Sequence, residues 1–502
     1  MARLPTLKYD RGTLILHPPP KAKAWLDLAE WDDRIEKYRI RGINYRSLIE
    51  ILQAEKIEFI DQAKEFFPLE LISSFEREPY PHQQEALLAW KQAQRRGVVV
   101  LPTASGKTYL AQLAMESTPR TTLIIVPTID LMHQWYAQML AAFPDVEVGL
   151  LGGGSKDRSP ILIATYNSAA IHSETLGNLY ALLIFDECHH LPTDFFRTIA
   201  EDAIAPYRLG LTATPDRSDG THQELDQLIG SVIYRKTAEE LSGKALAEHQ
   251  VIQIKVKLST HERERYTKAI QTRNDFLRQS KISLGSLQGW QLFVQASAKT
   301  AVGRQAMLAH REAKEIALGT DGKLRVLADI ICEHYPDTIL IFTNDNATVY
   351  RISKTFLIPA ITHQTPVKER HEILTLFREG EYKTLVTSHV LNEGVDVPDA
   401  KVAIILSGTG SQREYIQRLG RVLRKGQQEN KLAILYEVVA EDTSEEKTSQ
   451  RRQGKKQESK YAVSSSNKQL ELIPFPTSKP VPKAAESSTQ WKTDNQEINE
   501  DD

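Results

Sequence analysis

Only two of the 502 residues are cysteine, Cys188 and Cys332, and no Cys-x-x-Cys pair exists. Their separation argues against a disulfide framework, a zinc finger or an iron–sulfur cluster. Long apolar runs are missing as well: nothing approaches the ~20 residues that span a bilayer. The opening MARLPTLKYDRGTLILHPPP has a basic residue at Arg3 but no long apolar run ahead of a cleavage site, so it does not read as a signal peptide. A cytoplasmic chain with no membrane contact is expected. Charge of one sign is scarce too, since 63 basic residues face 65 acidic ones for a net of −2. Nucleic-acid binding would therefore need a local basic lining, because the bulk charge supplies no attraction. No fixed-period repeat is visible.

What is present fits a soluble globular protein, with 41% hydrophobic and 25% charged residues. The length exceeds what one core supports, so several domains are expected. Residues 1–75 read as a small mixed unit, with GTLIL as a strand and YRSLIEILQAEK at helical spacing. From 76 to 242, short apolar runs (GVVVL, TTLIIV, ILIATY, LLIFD, YRLGLTAT) alternate with helical segments, the pattern of a parallel sheet covered on both faces. A second such series (TILIFT, AITH, KTLVTS, VAIIL, LAILY) occupies 319–441. Between them, 243–318 is charged and helical, and is expected as an insertion. Residues 442–502 lose apolar content and are expected as a disordered tail.

Two stretches carry chemistry. VVVLPTASGKTYLAQLA reads as a strand, a small-residue loop and a helix. Thr103, Ala104, Ser105 and Gly106 would let backbone N–H groups face phosphates at a helix N-terminus, with Lys107 on the β/γ-phosphates and Thr108 on magnesium. Leu101 stands where the strict eight-residue motif has its first glycine. LLIFDECHHLP sets Asp186 at a strand end, the place of a magnesium-positioning acid, and Glu187 beside it to orient and deprotonate the attacking water. Cys188, His189 and His190 could suggest zinc instead, but adjacent residues on an extended strand end point apart, and no fourth ligand is spaced nearby.

In order along the chain, PTASGKT, DECHH, TATP and QRLGRVLR resemble the motifs of superfamily 2 helicases and translocases. The resemblance implies an α/β fold with two RecA-like domains and ATP between them. It also implies that Gln83 reads adenine, that His189 and Thr212-Ala213-Thr214 couple hydrolysis to movement, and that Gly394 and Asp396 sense nucleotide and strand. Gln417, Arg421 and Arg424 would form the last motif, whose arginines reach the γ-phosphate when the domains close. Finer likeness, in YDRGTL, YRIRGINYRSLIE, APYRLGLTATPDRSDG and NEGVDVPDAKVAIILSGTG, is to the XPB-like branch with archaeal and bacterial members. That implies an N-terminal damage-recognition domain and a DNA-gripping thumb in the insertion. The branch has Arg-Glu-Asp after TATP, whereas this chain has Arg217-Ser218-Asp219, a departure that bears on duplex opening more than on hydrolysis.

Such proteins carry DNA across the carboxyl edges of both sheets, chiefly by backbone contacts. Pro127, Thr128, Thr165, Asn167, Arg217, Asp219 and Ser388 are the expected contacts. The implied function is an ATP- and Mg2+-dependent 3′–5′ helicase or translocase on duplex or forked DNA, nucleoid-associated, in nucleotide excision repair with a nuclease partner. A restriction or phage-defence motor shares the core motifs, and an ATP-gated DNA scaffold that does not unwind is the rival of another class. The apolar island QLELIPF, Gln469 to Phe475, somewhat resembles a sliding-clamp peptide.

Overall fold

The computed structural model describes residues 4–75, 77–215, 220–242, 248–284, 287–388, 400–407 and 432–452. The island Gln469 to Phe475 lies outside them.

The first strands are β1 (Thr6–Asp10), β2 (Thr13–His17), β3 (Ala29–Asp32), β4 (Lys37–Arg41) and β5 (Ile60–Asp61), in a sheet ordered β3-β4-β2-β1-β5. The β1–β2 link is the two-residue turn Arg11-Gly12, both at positive φ, which matches the twist of a tight hairpin. Helix α1 (Tyr45–Ala54) buries Tyr45, Leu48 and Leu52, one helical face, against Leu7, Leu14, Trp25 and Ile40. Burial of each such side chain contributes about 1.5–3 kcal/mol.

This unit is clasped to the next domain. Tyr9 Oη lies 3.1 Å from the carbonyl oxygens of both Glu174 and Asp202. Glu65 N donates to Asn178 O at 3.0 Å, and Asn178 Nδ2 returns a bond to Ala63 O at 3.0 Å. Gly42 and Gly177 both sit against the Asp202 carbonyl oxygen, where a Cβ on either would collide.

The second sheet comprises β6 (Arg96–Val100), β7 (Thr122–Val126), β8 (Val148–Gly152), β9 (Ser155–Lys156), β10 (Ile161–Thr165), β11 (Leu182–Asp186), β12 (Tyr207–Thr212) and β13 (Val232–Arg235), ordered β13-β6-β12-β11-β7-β10-β8-β9. All pairings are parallel except β8 with β9. The apolar runs are continuous because both faces are covered: Val99, Ile124 and Ile184 enter one core, and Val98, Ile125 and Phe185 the other. Three helices concern the site: α2 (Pro81–Gln92), α3 (Lys107–Ser117) and α4 (Ile129–Ala142).

A third sheet, wholly parallel, orders β14 (Glu248–Val256), β15 (Ile339–Phe342), β16 (Ala360–Ile361), β17 (Thr384–Thr387), β18 (Val402–Ile405) and β19 (Leu432–Ala440) as β14-β19-β18-β15-β17-β16. The strand β14 corrects the expectation of helix throughout 243–318. Ile252, Ile254 and Val256 recur at period two, and β14 pairs with β19 along nine residues as the edge of this sheet. The insertion proper is the helices Thr260–Gln279, Leu287–Lys299 and Ala301–Gly319. The first and third pack through Tyr266 and Ala269 on Ala309, Ala313 and Ile316.

The tail also begins later than composition suggested, because Ser444–Arg452 is a helix. Its Glu445 is buried and takes two bonds from Lys323 Nζ, at 2.6 and 2.8 Å, while Leu406 O takes a third at 2.6 Å. Ser449 Oγ donates to the buried Glu437 at 2.7 Å. A polar stretch can order when its polar groups find buried partners, and a partner far along the chain is invisible in local composition.

Candidate active site

The loop between β6 and α3 turns on two left-handed residues, Ala104 at φ +67° and Gly106 at φ +83°. Glycine suits position 106 because φ +83° strains any residue with a Cβ, and a Cβ there would also displace the Gln83 amide. The loop holds itself: Ser105 Oγ donates to Pro102 O at 2.8 Å. Helix α2 braces it from one side. Gln83 Nε2 donates to Gly106 O at 3.1 Å, its Oε1 accepts from Tyr80 N at 2.9 Å, and His82 Nε2 lies 2.8 Å from Ser105 O. Thr103 Oγ1 is buried with no hydrogen-bond partner among the described residues, and Thr108 follows Lys107 in the first turn of α3.

Facing this loop, the end of β11 brings the two carboxylates together with Lys107. Lys107 Nζ sits 3.5 Å from Glu187 Oε1 and 3.4 Å from Leu101 O. Glu187 adopts φ +47°, a left-handed conformation that costs a residue with a Cβ about 1–2 kcal/mol. That kink carries its side chain away from the strand. Its Oε2 accepts from Thr212 Oγ1 at 3.3 Å, and Thr212 Oγ1 also lies 3.0 Å from His189 Nδ1. Thr214 N donates to Thr212 Oγ1 at 3.2 Å, so the turn Thr212-Ala213-Thr214 holds the hydroxyl that meets Glu187. Asp186 is buried, and burial first, then the Glu187 charge, push its carboxyl above the ordinary range.

The donor set fits magnesium and nucleotide phosphate. A buried carboxylate of raised pKa, a hydroxyl at a helix start and an orphaned loop hydroxyl suit a hard cation and anionic oxygens. Among the described residues no cluster of three or more His, Cys, Asp and Glu could hold a metal. Cys188 is fully buried in the apolar core, and burial raises its thiol pKa.

The expected DNA contacts that the structure describes lie at the carboxyl ends of parallel strands, β7 and β10 in the second sheet and β17 in the third. Thr128 caps α4, its Oγ1 accepting from Leu131 N at 3.2 Å, with Pro127 just before it. Thr165 is buried and caps the helix Tyr166–Ile171, which leaves Asn167 as the exposed member of that pair. Ser388 is also buried, its N bonded to Ile361 O at 3.3 Å. Arg217, Asp219, Gly394, Asp396, Gln417, Arg421 and Arg424 lie outside the described residues.

Sequence reading missed three groups. Trp135 Nε1 donates to Asp186 Oδ2 at 2.9 Å. Asp130, in the first turn of α4, pairs with Arg370 of the second α/β domain at 2.9 Å. Arg208, fully buried on the strand leading to Thr212, gives its guanidinium to the carbonyl oxygens of Ala203, Ala205 and Leu228. No local signal marks these partners.

A phosphate loop facing an acid pair at the carboxyl edge of one parallel sheet, with a second such sheet following, places the chain in the class of helicase-fold ATPases. The crystal structure of the Pyrococcus furiosus Hef helicase domain shares that fold at TM-score 0.51 and 19% identity, over 74% of this chain and 97% of that one. Residues 7–63 match the Xeroderma pigmentosum group B helicase damage recognition domain, 76–217 the type III restriction enzyme res subunit, and 322–426 the helicase conserved C-terminal domain. DNA 3′-5′ translocase XPB2 of Sulfurisphaera tokodaii is 39% identical over 446 residues, 89% of this chain and 99% of that one. DNA 3′-5′ helicase XPB of Mycobacterium tuberculosis is 30% identical over 361 residues, 69% of this chain and 58% of that longer one. The chain belongs to the XPB family of DNA helicases and translocases.

Proposed function

We propose that the protein is an ATP- and magnesium-dependent motor that moves 3′ to 5′ on DNA, translocating along or opening a duplex or fork. The observation that carries this is the chain Lys107–Glu187–Thr212–His189, which joins the phosphate loop to the base and the base to the strand behind it. Bound magnesium would neutralise charge on the phosphates, held by Asp186 and Thr108. The chain's own residues do the rest. Lys107 exchanges Glu187 for phosphate oxygens, which frees the Glu187 carboxylate to orient a water and take its proton. Gln83 stands beside the loop where it can sense adenine. Thr212 and His189 register the change at Glu187 and pass it to the residues after β12. Arg421 and Arg424 would supply cationic donors from the second domain, as their motif implies.

The N-terminal match to a damage-recognition domain favours nucleotide excision repair over a restriction or defence role, with a nuclease as the fitting partner and the nucleoid as the setting. The test is ATP hydrolysis with magnesium in the presence of no nucleic acid, single-stranded DNA, duplex DNA or RNA, beside Glu187→Gln. Stimulation by DNA that the substitution abolishes supports the motor. Hydrolysis indifferent to every nucleic acid sinks it. A strand-separation assay on Ser218→Glu then asks whether the acid missing from this chain's triplet limits duplex opening.

A further inference from the structure

We infer that Trp135 is a positioning residue for Asp186, holding that carboxylate ready for the metal ion and tying it to helix α4; the inference rests on the ATPase reading above. Both oxygens of Asp186 are fixed by protein donors. Oδ1 accepts from Glu187 N at 3.0 Å, and Oδ2 from Trp135 Nε1 at 2.9 Å. The first donor is backbone on the same strand and comes with the fold. The second comes from 51 residues away and from another element. Trp135 is 2% exposed and packs in the core with Met132 and Met139, where a phenylalanine or leucine would fill space without needing a polar partner. Its N–H is therefore the part of the residue that apolar packing does not explain.

The helix it stands on is anchored at its start. Thr128 caps α4 at the carboxyl edge of β7, and Asp130 in its first turn pairs with Arg370 on the other α/β domain. Trp135 follows Asp130 by five residues, about 7.5 Å along the axis. A shift of α4, whether from strand contact or from domain movement, reaches the Asp186 carboxylate through one rigid indole. Trp90 offers a matched contrast. It is equally buried, and its Nε1 donates at 2.9 Å to a backbone acceptor, Arg208 O. Trp90 shows what a purely structural indole bond looks like here.

The experiment titrates Mn2+ into the full-length protein with ADP and follows free Mn2+ by electron paramagnetic resonance, for wild type, Trp135→Phe and Trp90→Phe. Thermal unfolding and metal-free ADP binding are measured alongside. Trp135→Phe is expected to weaken Mn2+ binding by about tenfold, the scale of losing an outer hydrogen bond to a metal ligand, with ADP binding in EDTA unchanged. Trp90→Phe is expected to lower thermal stability and leave Mn2+ affinity within twofold. If Trp135→Phe does not fold, benzothienylalanine at 135 keeps the fused rings and replaces N–H by sulfur, and the same tenfold loss is expected. Equal Mn2+ affinity in wild type and the folded 135 variant overturns the positioning role while leaving the ATPase reading intact. Wild type that binds no Mn2+ with ADP overturns the site assignment and this inference together.

Discussion

Two lysine–carboxylate pairs in this chain differ in a way that separates working groups from structural ones. Lys323 and Glu445 are each 1% exposed, meet through two bonds at 2.6 and 2.8 Å, and share the ammonium with Leu406 O. Lys107 and Glu187 are slightly more open, at 11% and 13%, and touch once at 3.5 Å. In the first pair every ammonium proton has an acceptor, so nothing can replace the partner without a large cost. In the second, the contact is long and Glu187 already has Thr212 as an alternative donor. Under the proposed ATPase reading, a lysine that exchanges its carboxylate for phosphate needs the second arrangement.

The largest effect that would test this contrast is at Glu187. Glu187→Gln is expected to lower DNA-stimulated ATP turnover by about 10²–10⁴-fold, measured by phosphate release, with little change in the unfolding midpoint. Lys323→Ala should do the opposite, costing about 3–5 kcal/mol in denaturant unfolding because it strands a buried carboxylate, whereas Lys323→Met with Glu445→Leu should cost less than either single change. An unchanged unfolding curve for Lys323→Ala would break the comparison.

A third pair is more exposed than either of these. Asp130 and Arg370 are 31% and 15% exposed and bridge separate α/β domains. Arg370→Glu is expected to reduce DNA-stimulated turnover several-fold, and Asp130→Arg in the same molecule should restore much of it. Failure of the double exchange to recover activity would show that the contact is incidental.

The smallest effect is pH-dependent. Burial raises the Asp202 carboxyl, which accepts a bond from Ser173 Oγ at 2.5 Å. A raised folded value means the charged form is disfavoured by folding, so stability rises as pH falls through that value and levels off below the unfolded carboxylate value of about 3.9. Asp202→Asn should therefore raise the thermal midpoint slightly at pH 8, with the difference fading toward pH 4. A difference that grew on acidification would contradict the burial argument.

The strand–loop–helix around Gly106 and the strand end that carries Asp186 and Glu187 were legible in the sequence because each is continuous and its spacing reflects a strand end. The partners that tune them were not. Trp135 meets Asp186 across 51 residues, Lys323 meets Glu445 across 122, and Arg370 meets Asp130 across 240. Such contacts follow from sheet order, which the apolar runs alone leave open. The same reason hid β14: its period-two pattern is short, and its meaning as an edge strand depends on β19, more than 170 residues on. The glycine at 42 was equally silent, since the Asp202 and Gly12 backbones pressed against it explain the missing side chain.

The root of the helical insertion has a mechanical consequence. The chain enters the third sheet as β14 before forming those helices, and Ser444 N bonds the Tyr266 hydroxyl at 2.8 Å, so the insertion stands on the second α/β domain. The N-terminal sheet, clasped through Tyr9 and Asn178, stands on the first. The two appended units are thus fastened to different α/β domains, so a change in the angle between those domains would move the insertion and the N-terminal sheet relative to each other.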